Sequence, residues 1–197
     1  MLSQSTVAFD ELSNDSSGRN PGKVSIFIDA AHVFYAASTL GIEIDYSKLV
    51  SQLVQTGQLL RAYFYTGVDP ENTKQQGFLL WMKRNGYRVI TKEITTKDTP
   101  DAAHHHRPVD FCVEITTDMI AQAVFSDTVI LVTGDGRFTH LLRHFSRSKT
   151  RTALVSLQSI TSDRLLNEAD HVTDFATLKD AISKRHLTYK RSRFNVA

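Results

Sequence analysis

The sequence predicts an α/β domain of three layers, in which helices cover both faces of a mostly parallel central sheet. Short apolar, β-branched segments alternate along the chain with segments of helical periodicity, and this alternation is typical of parallel sheets. The segments 24–29 and 128–133 are largely apolar, as expected of strands that are buried on both faces. At 197 residues the chain is long enough for one domain with a substantial core.

Three strands and three helices are predicted in the first half of the chain. Asp45 can cap the second helix, in which Leu49 and Leu53 share one face. Gly41 and Gly86 follow the first and third helices, as expected of glycines that end helices. The predicted strands span 24–29, 59–65 and 87–93, and the predicted helices span 30–40, 45–55 and 75–85.

The second half of the chain begins with a polar loop that contains two prolines, at 95–109. The segment 128–133 is the clearest strand, because it is a short apolar run rich in β-branched residues. After the loop we predict helices over 110–124, 138–146, 162–169 and 176–184, and strands over 128–133, 151–156 and 172–175.

One folded domain is predicted over 23–183, with a disordered leader before it and a basic tail after it. Residues 1–22 are rich in Ser, Asn, Asp and Gly, a composition that buries little apolar surface. Residues 184–197 contain five lysines and arginines and no acid. Such a tail can bind phosphate backbones, or it can simply be a solvated terminus.

Composition excludes several classes of protein. No apolar segment approaches the ~20 residues that a membrane-spanning helix needs, so we expect no membrane partner. The N-terminus lacks the basic and apolar regions of a secretory signal. The single cysteine, Cys112, allows no internal disulfide and favours a reducing compartment. We therefore expect a cytoplasmic protein.

Carboxylates follow two of the predicted strands. Asp29 ends the first strand, and Asp135 comes shortly after the fourth. Because ligands of open α/β sheets bind outside the carboxyl ends of the strands, we expect these two side chains to share a site. On the helix before the fourth strand, Asp110, Glu114 and Asp118 are spaced to line one face. Structural alternatives exist, since acids at strand ends cap helices and acids on helices are commonly solvated.

Mg²⁺ or Mn²⁺ is the cofactor expected of such a cluster, because hard cations prefer carboxylate oxygens. A bound ion could activate water for phosphodiester cleavage. A zinc site at residues 104–106, three consecutive histidines, is disfavoured because neighbouring residues rarely converge on a tetrahedral ion. Contact of this loop with a substrate is the stronger alternative.

Five segments occur in the order in which the NYN domain family has them. The chain resembles this family of PIN-like ribonucleases, and most of all its LabA-like bacterial branch, over roughly residues 23–180. The resemblance implies a PIN-like fold and a metal-dependent endoribonuclease site, in which Asp29, Asp118 and Asp135 match family aspartates. The segments are FIDAAHVFYA (27–36), RAYFYTGVDPENTKQQGFLLWMKRNGYRV (61–89), VEITTDM (113–119), VILVTGDGRF (129–138) and ALVSLQSITSDRLLNEADHVTDF (153–175).

Three positions depart from the family pattern. His32 stands where asparagine is usual, and Cys112 and Arg137 stand where aspartates are expected. A thiol is a poor partner for Mg²⁺, and an arginine brings positive charge to the place of the cation. Two arrangements would compensate for these departures. Asp110 can join the two strand-end aspartates as a substitute metal ligand, and Arg137 can bind a substrate phosphate in bidentate fashion.

We therefore expect a metal-dependent nuclease that cleaves RNA at a partly altered acidic site. The alternative is a weak or inactive family member that binds RNA or a regulatory partner. RNA, single-stranded in particular, is the expected partner, and a homodimer is compatible with the sequence. Catalytic roles are assigned to Asp29, Asp110, Asp118 and Asp135, metal binding to Asp29, Asp110 and Asp135, and substrate contacts to His32, Lys74, Arg107 and Arg137.

Overall fold

The computed structural model describes residues 22–94 and 109–184, and in it helices cover both faces of one six-stranded sheet. The strands are β1 (Lys23–Asp29), β2 (Gln58–Val68), β3 (Tyr87–Glu93), β4 (Thr128–Val132), β5 (Arg151–Ser156) and β6 (His171–Asp174). Their order across the sheet is β3-β2-β1-β4-β5-β6, and all adjacent pairs are parallel. The predicted α/β class is confirmed, with a sheet that is entirely parallel.

The described residues contain seven α-helices and three short 3₁₀ turns. The turns span 136–138, 158–160 and 175–178. Gly41 adopts the left-handed conformation that ends the first helix, with φ of 65°. The helices are α1 (Ala30–Leu40), α2 (Tyr46–Val54), α3 (Thr73–Arg84), α4 (Cys112–Ala123), α5 (Thr139–Phe145), α6 (Asp163–Leu166) and α7 (Lys179–Ile182).

Side-chain caps explain where two helices begin. α3 starts two residues before the predicted position, because the side chain of Asn72 accepts a hydrogen bond from the amide of Gln75 at 3.0 Å. α4 starts two residues after the predicted position. There Asp110 Oδ1 accepts from the amide of Cys112 at 2.8 Å, which holds Asp110 in a turn ahead of the helix.

The predicted elements near the C-terminus are shorter than expected. The helix predicted over 162–169 is a single turn, α6, and the helix predicted over 176–184 becomes a 3₁₀ turn followed by α7. Asp174 starts that turn by accepting from the amide of Ala176 at 3.0 Å. β2, in contrast, continues to Val68, three residues beyond its predicted end.

Two apolar clusters lie on opposite faces of the sheet. Alternation along β1 sends Ile26 and Ile28 into the cluster beneath α1, α2 and α3, and Phe27 into the cluster beneath α4 and α5. All three side chains are fully buried. Burial of each contributes about 1.5–3 kcal/mol of hydrophobic stabilisation, so the central strand is held from both sides.

The parallel register brings the ends of the two central strands together. Ile28 pairs with Val132, and therefore Asp29 and Thr133 follow at the same edge of the sheet. We call this the carboxyl edge, since the strands end there, and the opposite edge the amino edge. In an open parallel sheet the carboxyl edge is where ligands bind.

Several predictions fall outside the described residues. Residues 1–21, the loop at 95–108 with Arg107 and the histidines at 104–106, and the tail after Lys184 belong to this group. Within the part of the chain that is described, no helix is both long enough and apolar enough to cross a lipid bilayer.

Substitution of Phe64 tests the packing of the first cluster. Its buried ring contacts Tyr46 and Phe78, with centroids 5.4 and 5.9 Å away. We expect Phe64→Ala to reduce the free energy of unfolding by about 3–5 kcal/mol, through lost burial and a residual cavity. Urea denaturation measures the change. Leu80→Ala is the control, since Leu80 is 49% exposed, and its effect is expected within about 0.5 kcal/mol. Equal losses in both variants would contradict this account.

Candidate functional site

A cavity of about 180 Å³ opens at the carboxyl edge, beside the first turn of α4. Its wall includes Asp29, Cys112, Asp135 and Arg137, four positions that the sequence analysis singled out. The structure thus places the two strand-end aspartates in one site. The other lining residues are Ala31, Val109, Phe111, Ile115 and Phe138.

Asp29 is both a helix cap and a wall of the cavity. Its Oδ1 accepts from the amide of Ala31 at 3.1 Å, and its Oδ2 accepts from the hydroxyl of Thr133 at 2.9 Å. Burial raises the pKa of Asp29 above its ordinary value, and nearby Asp135 raises it further, against the effect of these hydrogen bonds. A buried carboxylate beside a second carboxylate needs compensating positive charge.

Thr133 links the two aspartates and was missed by the sequence analysis. This fully buried residue donates its hydroxyl hydrogen to Asp29, and the same oxygen accepts from the amide of Asp135 at 3.3 Å. The segment Thr133-Gly134-Asp135 stands directly after the clearest strand, which is the sequence feature that could have identified it.

Arg137 lies between two carboxylates. Its amide and its Nε donate to Oδ1 and Oδ2 of Asp135 at 2.9 and 2.8 Å, and its Nη2 lies 2.5 Å from Oδ2. Its Nη1 lies 2.6 Å from Oδ2 of Asp110. The guanidinium therefore occupies the place beside these carboxylates that a metal ion would need, which is the position expected for Arg137 from the sequence.

The residues present do not fit a Mg²⁺ ion while Arg137 is in this position. Each carboxylate oxygen of Asp29, Asp110 and Asp135 already accepts a hydrogen bond from the protein. Among the described residues, no three His, Cys, Asp or Glu side chains are grouped as a metal-binding set. Mg²⁺ requires near-octahedral oxygen coordination at about 2.0–2.1 Å, so an ion bound by Asp110 and Asp135 would have to displace the guanidinium of Arg137.

Cys112 contributes a neutral thiol to the cavity. Burial and a hydrogen bond with Asp110 raise its pKa to about 12, against the lowering effect of Arg137. A protonated thiol is neither a nucleophile nor a useful ligand for a hard cation.

Asp118 lies apart from the cavity lining. Its Oδ2 accepts a hydrogen bond from the hydroxyl of Tyr65 at 2.8 Å, and Glu114 pairs with Lys92 at 2.8 Å. The expectation that Asp110, Glu114 and Asp118 line one face of a helix is wrong, because α4 begins only at Cys112.

His32 packs behind the loop that carries Asp135. A Cβ atom at Gly134 would overlap the imidazole ring, so the glycine allows the close approach. Burial lowers the pKa of His32 to about 4, which leaves the ring neutral. Its Nε2 is buried without a hydrogen-bond partner among the described residues. His32 and Lys74, an exposed residue of α3, are not among the residues that line the cavity.

The pKa values of Asp110 and Asp135, the two partners of Arg137, are both lowered. Hydrogen bonds from Cys112, with help from Arg137, lower the pKa of Asp110 to about 2. For Asp135 burial acts to raise the pKa, but the hydrogen bonds and charge of Arg137 outweigh it and the net shift is downward. Both carboxylates therefore stay charged at neutral pH, and the pairing is lost only as the pH falls through these lowered values.

Removal of the guanidinium tests this balance. In Arg137→Gln we expect the pKa of Asp135 to rise above its ordinary value, because burial then acts without the opposing cation. A carboxyl-carbon NMR titration measures it. Arg143→Gln is the matched control, since Arg143 is also exposed and pairs with an acid, Glu168. Arg143→Gln should leave the pKa of Asp135 unchanged. An unaltered pKa of Asp135 in Arg137→Gln would show that the ion pair between Arg137 and Asp135 does not form in solution.

Comparison with known proteins agrees with the fold and the motifs. The NYN domain family model matches residues 23–179. The low amplitude and bright protein LabA of Synechococcus elongatus is 27% identical over 168 residues, which cover 83% of this chain and 89% of that protein. A crystal structure of a protein of unknown function from Vibrio parahaemolyticus has the same fold, with a TM-score of 0.69 and 24% identity. The match covers 84% of this chain and 98% of that one. The chain therefore belongs to the NYN domain family, whose members are PIN-like and related to nucleases.

Proposed function

We propose that this NYN domain binds single-stranded RNA and has lost the metal-dependent cleavage implied by its family. The observation that carries the proposal is the bridge of Arg137 between Asp110 and Asp135. An arginine cannot leave the site as an ion can, and it is charged at all physiological pH values. The domain thus carries its own counter-ion where the family is expected to use a metal.

A second difference acts in the same direction. At the position of the expected aspartate at the start of α4, Cys112 supplies a neutral thiol, which removes one negative charge from the cavity. Asp110 replaces that charge from two residues upstream, but its Oδ2 is engaged by Arg137. Both departures from the family pattern make the cavity less negative, and together they favour an ion pair over a metal site.

The outer surface of α3 supports the RNA-binding part of the proposal. Lys74, Lys83 and Arg84 are exposed and have no acidic partner among the described residues. Trp81, 40% exposed, lies on the same helix. Helical spacing places Lys74 and Arg84 on the same side of α3 as Trp81, seven and three residues away. An aromatic ring on a surface with cations can stack on a base while the cations bind phosphates. Lys74, for which the sequence predicts a substrate contact, lies on this surface of α3.

A metal-dependent ribonuclease is the second candidate. It is favoured by the shared position of Asp29 and Asp135 in one cavity, and by the exposure of the Arg137 side chain, of which 60% is open to solvent. Rotation of that side chain would uncover the two aspartates. A cytoplasmic location is proposed for either candidate, from the single cysteine.

Restoration of the two missing carboxylates tests the loss of cleavage. We expect the wild-type protein to show neither Mn²⁺ binding by calorimetry nor metal-dependent cleavage of single-stranded RNA on a gel. Cys112→Asp/Arg137→Asp should gain both, because it adds two hard ligands and removes the competing cation.

Two controls make the result specific. Cys112→Ser/Arg137→Gln removes the thiol and the cation without adding a carboxylate, and it should gain no cleavage. Asp29→Asn in the restored background should abolish the gain. If instead the wild-type chain cleaves RNA with Mg²⁺ or Mn²⁺, and Asp29→Asn ends that cleavage, the second candidate is correct.

The surface of α3 allows a direct test of RNA binding. Trp81 is the only tryptophan of the chain, so its fluorescence reports on this surface alone. We expect an unstructured RNA oligonucleotide to quench it, with an affinity that falls as salt rises. Lys74→Gln/Arg84→Gln should reduce the slope of log affinity against log salt by about 1.4, since each phosphate contact of a single strand contributes about 0.7.

Arg164→Gln serves as the control for charge. Arg164 is exposed on α6, which lies near the opposite end of the sheet, and its loss should leave the slope unaltered. Binding that does not quench Trp81, or that is equally weakened by both changes, would place the RNA elsewhere.

A further inference from the structure

A second cavity, of about 490 Å³, lies at the amino edge of the sheet. Two strongly exposed apolar side chains stand at it, Val124 at 77% and Phe125 at 65% exposure. They follow directly after the end of α4, and neither packs into the domain core. The residues that line the cavity, which we call the amino-edge patch, are Lys23, Leu60, Val124, Phe125, Ser126 and Asp127.

The patch has the shape of a protrusion beside a recess. Phe125 projects into solvent, and the neighbouring cavity is walled by Leu60 and Val124. An interface between two identical copies about a two-fold axis requires one surface that is complementary to itself. A protruding aromatic ring next to a recess with Leu60 and Val124 in its wall meets that requirement, because each ring can enter the recess of the other copy and contact these apolar side chains.

The charges of the patch are also self-complementary. Lys23 has no acidic side chain as a partner among the described residues. Asp127 is exposed, and among the described residues its Oδ2 accepts from the backbone amide of Lys23, at 2.7 Å. A two-fold axis would set each ammonium against the carboxylate of the other copy. One cation and one anion give a patch without net charge, which an RNA backbone would not prefer.

The adjoining face of α4 allows the contact to extend. Ile120, four residues before Val124, is 43% exposed on the outer side of this helix. The two charged residues of α4, Glu114 and Asp118, are engaged by Lys92 and Tyr65. A second copy could therefore cover this side of α4 without burying an unpaired charge, which is the usual obstacle to a close contact.

We propose that the amino-edge patch joins two copies of this chain into a two-fold symmetric dimer, with Phe125 of each copy in the other's cavity. The candidate functional site lies at the opposite edge of the sheet, so dimer formation leaves it open. The inference does not depend on the proposed function.

Sedimentation velocity of the full chain tests the dimer. We expect the wild-type protein to associate to twice the chain mass of 22.2 kDa. Phe125→Asp should weaken the association at least tenfold, because it places a charge in an apolar recess at the centre of the contact. Lys23→Glu should weaken it as well, since like charges then face each other across the two-fold axis.

Leu80→Asp is the matched control, because Leu80 is an exposed leucine on α3, on the opposite face of the sheet. It should leave the dimer intact. Val124→Asp repeats the test should Phe125→Asp fail to fold, as judged by circular dichroism. A wild-type chain that stays monomeric at every soluble concentration would overturn the proposal. A dimer that tolerates a charge at both positions 124 and 125 would overturn it equally.

Discussion

The chemistry at the carboxyl edge depends on one ion pair, in which the guanidinium of Arg137 lies between Asp135 and Asp110. Asp135 also starts the 3₁₀ turn that contains Arg137, by accepting from the Arg137 amide. Backbone turn and ion pair thus use the same carboxylate and support the same geometry. Burial raises the pKa of Asp29, and the neighbouring Asp135 adds to that shift, so a charged Asp29 is disfavoured in this partly buried place.

The two unusual residues of the cavity belong together. A long arginine side chain reaches beyond its own turn to Asp110, which is available because it stands ahead of α4 rather than inside it. Cys112, at the first position of that helix, is neutral and so adds no further negative charge beside Asp110. Cys112 and Arg137 both contact Asp110, Cys112 through its backbone amide and Arg137 through its guanidinium. Coupling of this kind is expected of residues that contact a common partner.

The sequence predicted the fold well, because apolar strands and glycine-ended helices are local features. The segment at β4 and the caps at Asp29 and Asp45 are readable from neighbouring residues alone. The start of α4 was placed too early, since the choice between helix and turn at Asp110 depends on which amide its side chain captures.

The site was harder to predict than the fold, because its contacts are long-range. Asp118 matches a family aspartate in sequence, but its hydrogen bond goes to Tyr65, on a strand far away in the chain. Thr133 contacts two aspartates, but its link to Asp29 joins residues 104 positions apart, which the local segment Thr133-Gly134-Asp135 does not show. Local periodicity carries no information about which side chains meet across a sheet.

The close packing of His32 against Gly134 has a consequence for how the cavity meets a ligand. The imidazole fills the space behind the loop, and no side chain at position 134 would fit there. The loop therefore cannot move toward His32 unless the neutral imidazole ring leaves its partly buried position. The backbone beside Asp135 is therefore preorganised, and a ligand of Asp135 would lose little free energy to rearrangement of this loop.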